Sequence, residues 1–248
     1  MKYFTIILLS YILHAQSGFD IAKMMDDKLI PKDLSNKTTM VLTNSKNKIR
    51  ESSMISKSID GNKKQIIWFL NPKDDRGVSF LKIEHEDKND EMRMWLPAFK
   101  KVRRISSKKK GDAFMGSDLS YEDLSSRNLN EHDYNRLEDT LIDGKGYYVL
   151  EVIPKKEVKS SYSKHISWIQ KETLSVLKEK SFDNKGILKK EKDFEYQKIE
   201  SYYIVSRVFV KDVQSNHSTE ITFSDILIDS GIESNLFHEK NLKRIPRI

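Results

Sequence analysis

No cysteine occurs in the 248 residues. Disulfides, thiolate metal sites and a lipidated cysteine at a processing site are thereby excluded. Without crosslinks the chain has to be held by its core, which is feasible at this length. Glycine is scarce: nine residues, mostly one per turn, leave no glycine-rich phosphate loop. There are five prolines, no low-complexity linker and no exact repeat, so a single domain is expected over residues 16–248. His85, His132, His165, His217 and His238 are scattered, with no H-E-x-x-H pattern. Ser117 lies between Gly116 and Asp118 without the G-x-S-x-G elbow, and a turn with a helix cap explains all three. The recognition motifs of nucleic-acid-binding proteins are missing, and no nucleic-acid partner is expected.

The clearest local signal is N-terminal. Met1-Lys2 precedes an apolar run from Tyr3 to Leu13, and His14-Ala15 is followed by Gln16-Ser17-Gly18. This pattern predicts a secretory signal peptide, residues 1–15, cleaved after Ala15. The run is shorter than the ~20 apolar residues that a membrane-spanning helix needs. The formal charge of +7 falls to +6 once Lys2 leaves with the leader. That excess suits an anionic membrane surface or an acidic partner as well as an ordinary solvated surface. Hydrophobic residues at 38% and charged residues at 33% are lean but sufficient for a sheet with one solvated face.

Helical spacing of Ile21, Met24 and Met25 predicts a helix from Phe19 to Leu29, with Asp20 as N-cap and Pro31 beyond its end. From Lys37 onward the texture is that of strands. Thr38 to Thr43, Ile49 to Ile59, Gln65 to Leu70 and Gly77 to Glu84 are separated by turn compositions, among them Asp60-Gly61-Asn62. Glu91 to Leu96 alternates with period two, Pro97 breaks the ladder, and Lys101 to Ile105 resumes as a basic strand. Leu119 to Leu124 is expected to form one or two helical turns, and 229–237 a short closing helix or turn. Strands are further expected at 132–141, 147–153, 164–170, 174–182, 187–194, 202–213 and 218–228. Roughly a dozen strands at regular spacing predict a mainly β, barrel-like antiparallel sheet.

Little in this pattern points to chemistry. Glu84-His85-Glu86-Asp87 reads as a charged hairpin loop before it reads as a metal site. No catalytic residue, metal or cofactor is assigned. Trp68, Phe80, Met92, Met94 and Trp95, on three consecutive strands, either fill an ordinary core or line a greasy groove. Methionine suits a groove because its thioether adapts to varied apolar partners. Beside them Lys101, Arg103 and Arg104 form either a solvated strand or a contact with head groups or a partner.

Several segments together carry a family resemblance. They are Asn71-Pro72 with Gly77 to Leu81, Met94-Trp95-Leu96-Pro97-Ala98, and Lys101 to Ile105. Most specific is Met115-Gly116-Ser117-Asp118-Leu119-Ser120-Tyr121-Glu122-Asp123-Leu124. Tyr148 to Glu151, Trp168-Ile169 and Gly186 to Lys190 agree with them. The chain resembles the outer membrane lipoprotein-sorting protein family, which is similar to the LolA-like periplasmic carriers, over about 19–242. The resemblance implies an unclosed, strongly curved antiparallel half-barrel with a few short helices covering a hydrophobic cavity. It implies an exported, periplasmic and non-enzymatic carrier of a lipid or lipoprotein acyl chain, in outer-membrane lipoprotein or lipid sorting. An inner-membrane exporter of the resistance-nodulation-division type is an implied partner, and a monomer is assumed. Two rival readings stand beside it. One is a transporter accessory that binds protein, which a filled core would favour. The other is an envelope-lipid hydrolase, for which Ser117 and His132 would be the pair.

Overall fold

The computed structural model describes residues 16–86 and 88–246. The expected signal peptide lies outside them. Helix α1 (Gly18–Asp26) starts one residue earlier than its spacing predicts, because Ser17 is the N-cap and Asp20 closes the capping box from N3. It ends five residues short of Pro31. Gly18 is needed where it stands: a Cβ there would lie 2.4 Å from the Tyr134 carbonyl oxygen.

Fourteen strands follow: β1 (Asp33–Thr43), β2 (Ile49–Ile59), β3 (Lys64–Asn71), β4 (Ser79–Ile83), β5 (Glu91–Leu96), β6 (Lys101–Ile105), β7 (His132–Arg136) and β8 (Thr140–Ile142). The remainder are β9 (Lys145–Pro154), β10 (Tyr162–Gln170), β11 (Val176–Asp183), β12 (Leu188–Ile199), β13 (Tyr202–Asp212) and β14 (His217–Ile228). All belong to one antiparallel sheet in the order β6-β5-β4-β3-β2-β1-β14-β13-β12-β11-β10-β9-β7, with β8 also paired to β9. The two ends of this order do not pair, so the sheet is an unclosed half-barrel, as predicted. Successive strands pair as meanders within β1–β6 and within β8–β14, β7 pairs with β9, and the β1–β14 seam joins the first strand to the last.

Two local expectations are corrected, and the closing turn is found as expected. Leu119 to Leu124 holds a single turn at 121–124, not helix: Ser120 and Asp123 make the reciprocal bonds of a capping box, but Glu122 and Asp123 are tied to Ser161 and Lys190 of the sheet and no helix continues. The expected 132–141 strand breaks into β7 and β8, where Arg136 clasps Asp139 through two hydrogen bonds. The closing segment contains two 3-10 turns, Ser234–Leu236 and Glu239–Lys243.

Cross-strand partners share a face, so the registers divide the core into an inner and an outer part. On the inner face Met40, Met54, Phe69, Phe80, Met92, Met94 and Val210 form the largest cluster. A second cluster packs Ile21 and Ala22 of α1 on Leu150, Val152 and Ile169. On the outer face of β2–β5, Ile66, Trp68 and Leu81 are covered by Phe237 and Leu242 of the C-terminal segment. Residues 66–69 are therefore buried on both faces, which is why β3 is an unbroken apolar run. The C-terminal segment is held by the buried Asp33 carboxylate, which accepts from the Ser230, Gly231 and Ile232 amides and the Ser230 hydroxyl at 2.8–3.1 Å.

Candidate ligand site: the inner face and its plug

Strands β6 and β7 are consecutive in the chain yet lie at opposite ends of the sheet. Residues 106–131 must therefore cross the opening of the half-barrel. Within this crossing, 110–122 fold back as a small hairpin. The Phe114 and Tyr121 amides donate to Leu119 and Asp112 oxygens at 2.7 and 3.1 Å, and the Glu122 amide donates to Lys110 at 2.7 Å. Met115 (φ 50°) and Gly116 (φ 78°) turn its tip through the left-handed region, which glycine tolerates best.

The hairpin plugs the inner face. Phe114, Leu119 and Tyr121 belong to the same buried cluster as Phe69, Phe80, Met92 and Met94. The Phe80 ring lies 5.3 Å from that of Phe114 and 5.8 Å from that of Tyr121, in the range of favourable aromatic pairs.

This geometry divides the sequence-predicted lining. Phe80, Met92 and Met94 face inward under the plug. Trp68 and Trp95 face outward, packed with Leu242 and its neighbours; the Trp68 indole donates to the Asn241 carbonyl at 3.3 Å. Neighbours on a strand point to opposite faces, so Met94 and Trp95 cannot share a groove. The basic strand divides likewise. Lys101 and Arg103 pair with Leu96 and Met94 on the inward side, and Arg104 pairs with Arg93 on the other. All three are exposed on an edge strand, where charge also discourages unwanted strand pairing.

Beyond the apolar part, the inner face of β10–β12 carries a buried polar cluster that the sequence reading missed. Asp123 follows the plug, and its side chain is 1% exposed. Its Oδ1 accepts from Lys192 at 2.5 Å; its Oδ2 accepts from Lys190, the Tyr162 hydroxyl and the Ser120 hydroxyl at 2.7–2.8 Å. Lys192 also reaches Glu179 at 3.1 Å, and Arg127 clasps Glu179 through two bonds of 2.6 and 2.8 Å. Burial alone would raise the carboxyl pKa values. The ammonium groups of Lys192 and Lys190 hold Asp123 well below the carboxylate range, and Arg127 and Lys192 do the same for Glu179. Burial lowers Lys190, which meets one carboxylate. Lys192 meets two, which outweigh burial and raise it. His165 lies beside them with Nδ1 at 2.9 Å from the Ser181 hydroxyl. Burial, then the Arg127 charge, push its pKa well below the ordinary histidine value. The available signal was the alternation of Lys190, Lys192 and Phe194 with Glu191, Asp193 and Glu195 along β12.

The remaining candidates have local roles. The Ser117 hydroxyl donates to the Phe114 carbonyl at 2.6 Å within the plug. His132, the first residue of β7, has Nδ1 3.0 Å from the Asn128 carbonyl, and no hydrogen bond joins it to Ser117. Asp118 is held by His217 Nδ1 and the Thr219 hydroxyl, both at 2.7 Å, and lines a cavity of about 320 Å³. Among the described residues no cluster of three or more metal-ligating side chains occurs, and no helix is long and apolar enough to cross a membrane.

A family model described as "Uncharacterized protein" matches residues 61–244. No curated protein matches. Among solved structures, the chain is similar to a domain described as that of an outer membrane lipoprotein-sorting protein from Vibrio parahaemolyticus. The two are 33% identical over 92% of this chain and 98% of that one, with a TM-score of 0.86. A DUF1329 family protein from Desulfovibrio piger is 30% identical over 91% of this chain and 97% of that one, with a TM-score of 0.85. A LolA superfamily protein from Nitrosomonas europaea shares the fold, at 17% identity over 91% of this chain and 99% of that one and a TM-score of 0.72.

Proposed function

The chain belongs to the family of outer membrane lipoprotein-sorting (DUF1329) proteins, and from that premise we propose that it is a periplasmic carrier that shields the acyl chain of a lipid or lipoprotein from water. The observation that carries the reading is the closure of the inner face. Phe80, Met92 and Met94 are covered by a 13-residue hairpin in a chain crossing, not by a second sheet. A hairpin can be displaced without unzipping any sheet ladder, and apolar area then becomes available at ~25 cal/mol per Å². Each methylene placed there contributes about 0.8 kcal/mol, which suits reversible loading. Lys101, Arg103 and Arg104, exposed on the β6 edge beside this face, are the proposed contact with lipid head groups or an inner-membrane exporter of the resistance-nodulation-division type.

Native mass spectrometry of protein purified from its own periplasm without detergent tests the carrier reading. A co-purifying lipid or acylated peptide, lost in Met94→Asp and retained in Trp68→Phe, is the expected outcome. A clean apo mass together with no uptake of a fluorescent fatty acid would sink it. That result would favour the second reading, a transporter accessory that binds protein, which the filled inner face already suits.

A further inference from the structure

The plug is a covalently attached imitation of its own competitor. Phe114, Leu119 and Tyr121 occupy the apolar surface of β3–β5, and Asp123, two residues beyond Tyr121, delivers one carboxylate to the adjoining cations. Apolar body and anionic head thus lie side by side in the order an amphiphile would present them. From this juxtaposition we infer that the inner face binds an acidic phospholipid, whose tail replaces Phe114 and Tyr121 and whose phosphate replaces Asp123 between Lys190, Lys192 and Tyr162. The inference rests on the carrier reading and names its ligand class.

Charge decides the class. With Asp123 withdrawn, Lys190, Lys192 and Arg127 face one carboxylate, Glu179, leaving two buried positive charges in excess. Uncompensated buried charge is strongly unfavourable, so a neutral lipid that expelled the plug would leave the site worse than it found it. An anion restores the balance. Donor number favours phosphate over carboxylate. Five donors converge on the two Asp123 oxygens; the Ser120 amide and hydroxyl depart with the plug, and the two lysines and Tyr162 remain. A phosphate offers each of the three an oxygen of its own.

Displacement also predicts how the plug sets affinity. Ligand binds only the fraction of molecules with the plug withdrawn, so a weakened plug tightens apparent binding without touching the ligand's contacts.

The test uses tail-labelled phosphatidylglycerol, diacylglycerol and fatty acid bearing the same tail, titrated below their aggregation concentrations. The wild type is expected to bind phosphatidylglycerol at least about tenfold more tightly than diacylglycerol, a modest fraction of what a buried charge pair carries. Asp123→Asn should tighten phosphatidylglycerol binding by about tenfold as the plug loosens. Because that variant disturbs a buried network, a second measurement keeps the fold constant. A Cβ at Gly111 would stand 3.2 Å from that of Ser161, close to the ~3.5–4.5 Å of a disulfide. The cysteine-free chain carrying Gly111→Cys and Ser161→Cys should lose binding when oxidised and regain it on reduction. Equal affinity for phosphatidylglycerol and diacylglycerol overturns the inference and leaves the carrier reading intact. A fatty acid matching phosphatidylglycerol overturns the phosphate assignment. Equal binding by the oxidised and reduced forms overturns displacement, and no binding of any lipid overturns inference and reading together.

Discussion

Removing the Phe80 ring tests whether the plug is a true part of the core. Phe80 is 0% exposed, between Ile67 and Met94 on its sheet and Phe114 and Tyr121 on the plug. Phe→Ala at such a site costs about 3–5 kcal/mol, the lost transfer energy plus the cavity left behind. For a domain of this size each kcal/mol lowers Tm by about 2–4 °C, so Phe80→Ala should melt roughly 6–20 °C lower. Phe114→Ala and the double variant complete a cycle in urea denaturation. The aromatic pair at 5.3 Å should appear as a coupling of about 0.5–1.5 kcal/mol, so the two changes together cost less than their sum. A Phe114→Ala cost near zero, with zero coupling, would show that the hairpin does not seat on the sheet in solution, and the argument from closure would fail with it.

Other outcomes follow from the same packing. Trp68→Ala should destabilise by about 3–5 kcal/mol in urea yet leave lipid affinity within a factor of two, because its ring lies on the outer face; a large loss of affinity at retained fold would place it in the site. Asp33→Ala strands three backbone amides and should cost about 2–3 kcal/mol, read as a lower urea midpoint. Since the folded pKa of His165 lies below its unfolded value, the unfolded chain takes up the extra proton. Its contribution is therefore complete above about pH 6.5 and decays on acidification, with a slope of up to about 1.4 kcal/mol per pH unit. His165→Asn should flatten urea stability between pH 6.5 and 5, and an unchanged slope would refute the assignment. Ser117→Ala should leave lipid integrity unaltered, as its hydroxyl bonds only within the plug; any lipid turnover by the wild type that the variant loses would revive the hydrolase.

Strand content was legible because alternation and turn chemistry are local. Ile49 to Ile59 is the observed strand to the residue, and Asp60, Gly61 and Asn62 all take positive φ in the turn that follows. Facing was equally legible at Met94 and Trp95, where adjacency in one strand forces opposite faces, although apolar character alone groups them. What the sequence does not display is the partner on each face. Trp68 owes its burial to Leu242, 174 residues away, and Lys192 owes its burial to Asp123 and Glu179. A lysine in a strand reads as solvated until the chain crossing that covers it is known. The same crossing explains why Leu119 to Leu124, helical by composition, is bent into a turn that aims Tyr121 and Asp123 at different parts of one wall.

The β1–β14 seam makes the molecule two arms, each a continuous piece of chain on either side of the Lys108-Lys109-Lys110 run, whose first two residues are exposed. Each arm lends its terminal segment to the other. Helix α1 leaves the first arm to dock on Leu150 and Val152 of the second, and Phe237 and Leu242 return from the second to cover Trp68 of the first. A single proteolytic nick in the lysine run would therefore cut the backbone without separating the halves. They would remain a noncovalent heterodimer, joined by a strand ladder at the keel and by two exchanged clasps, and expressed separately they should find each other as a split protein whose reassembly reports on the seam.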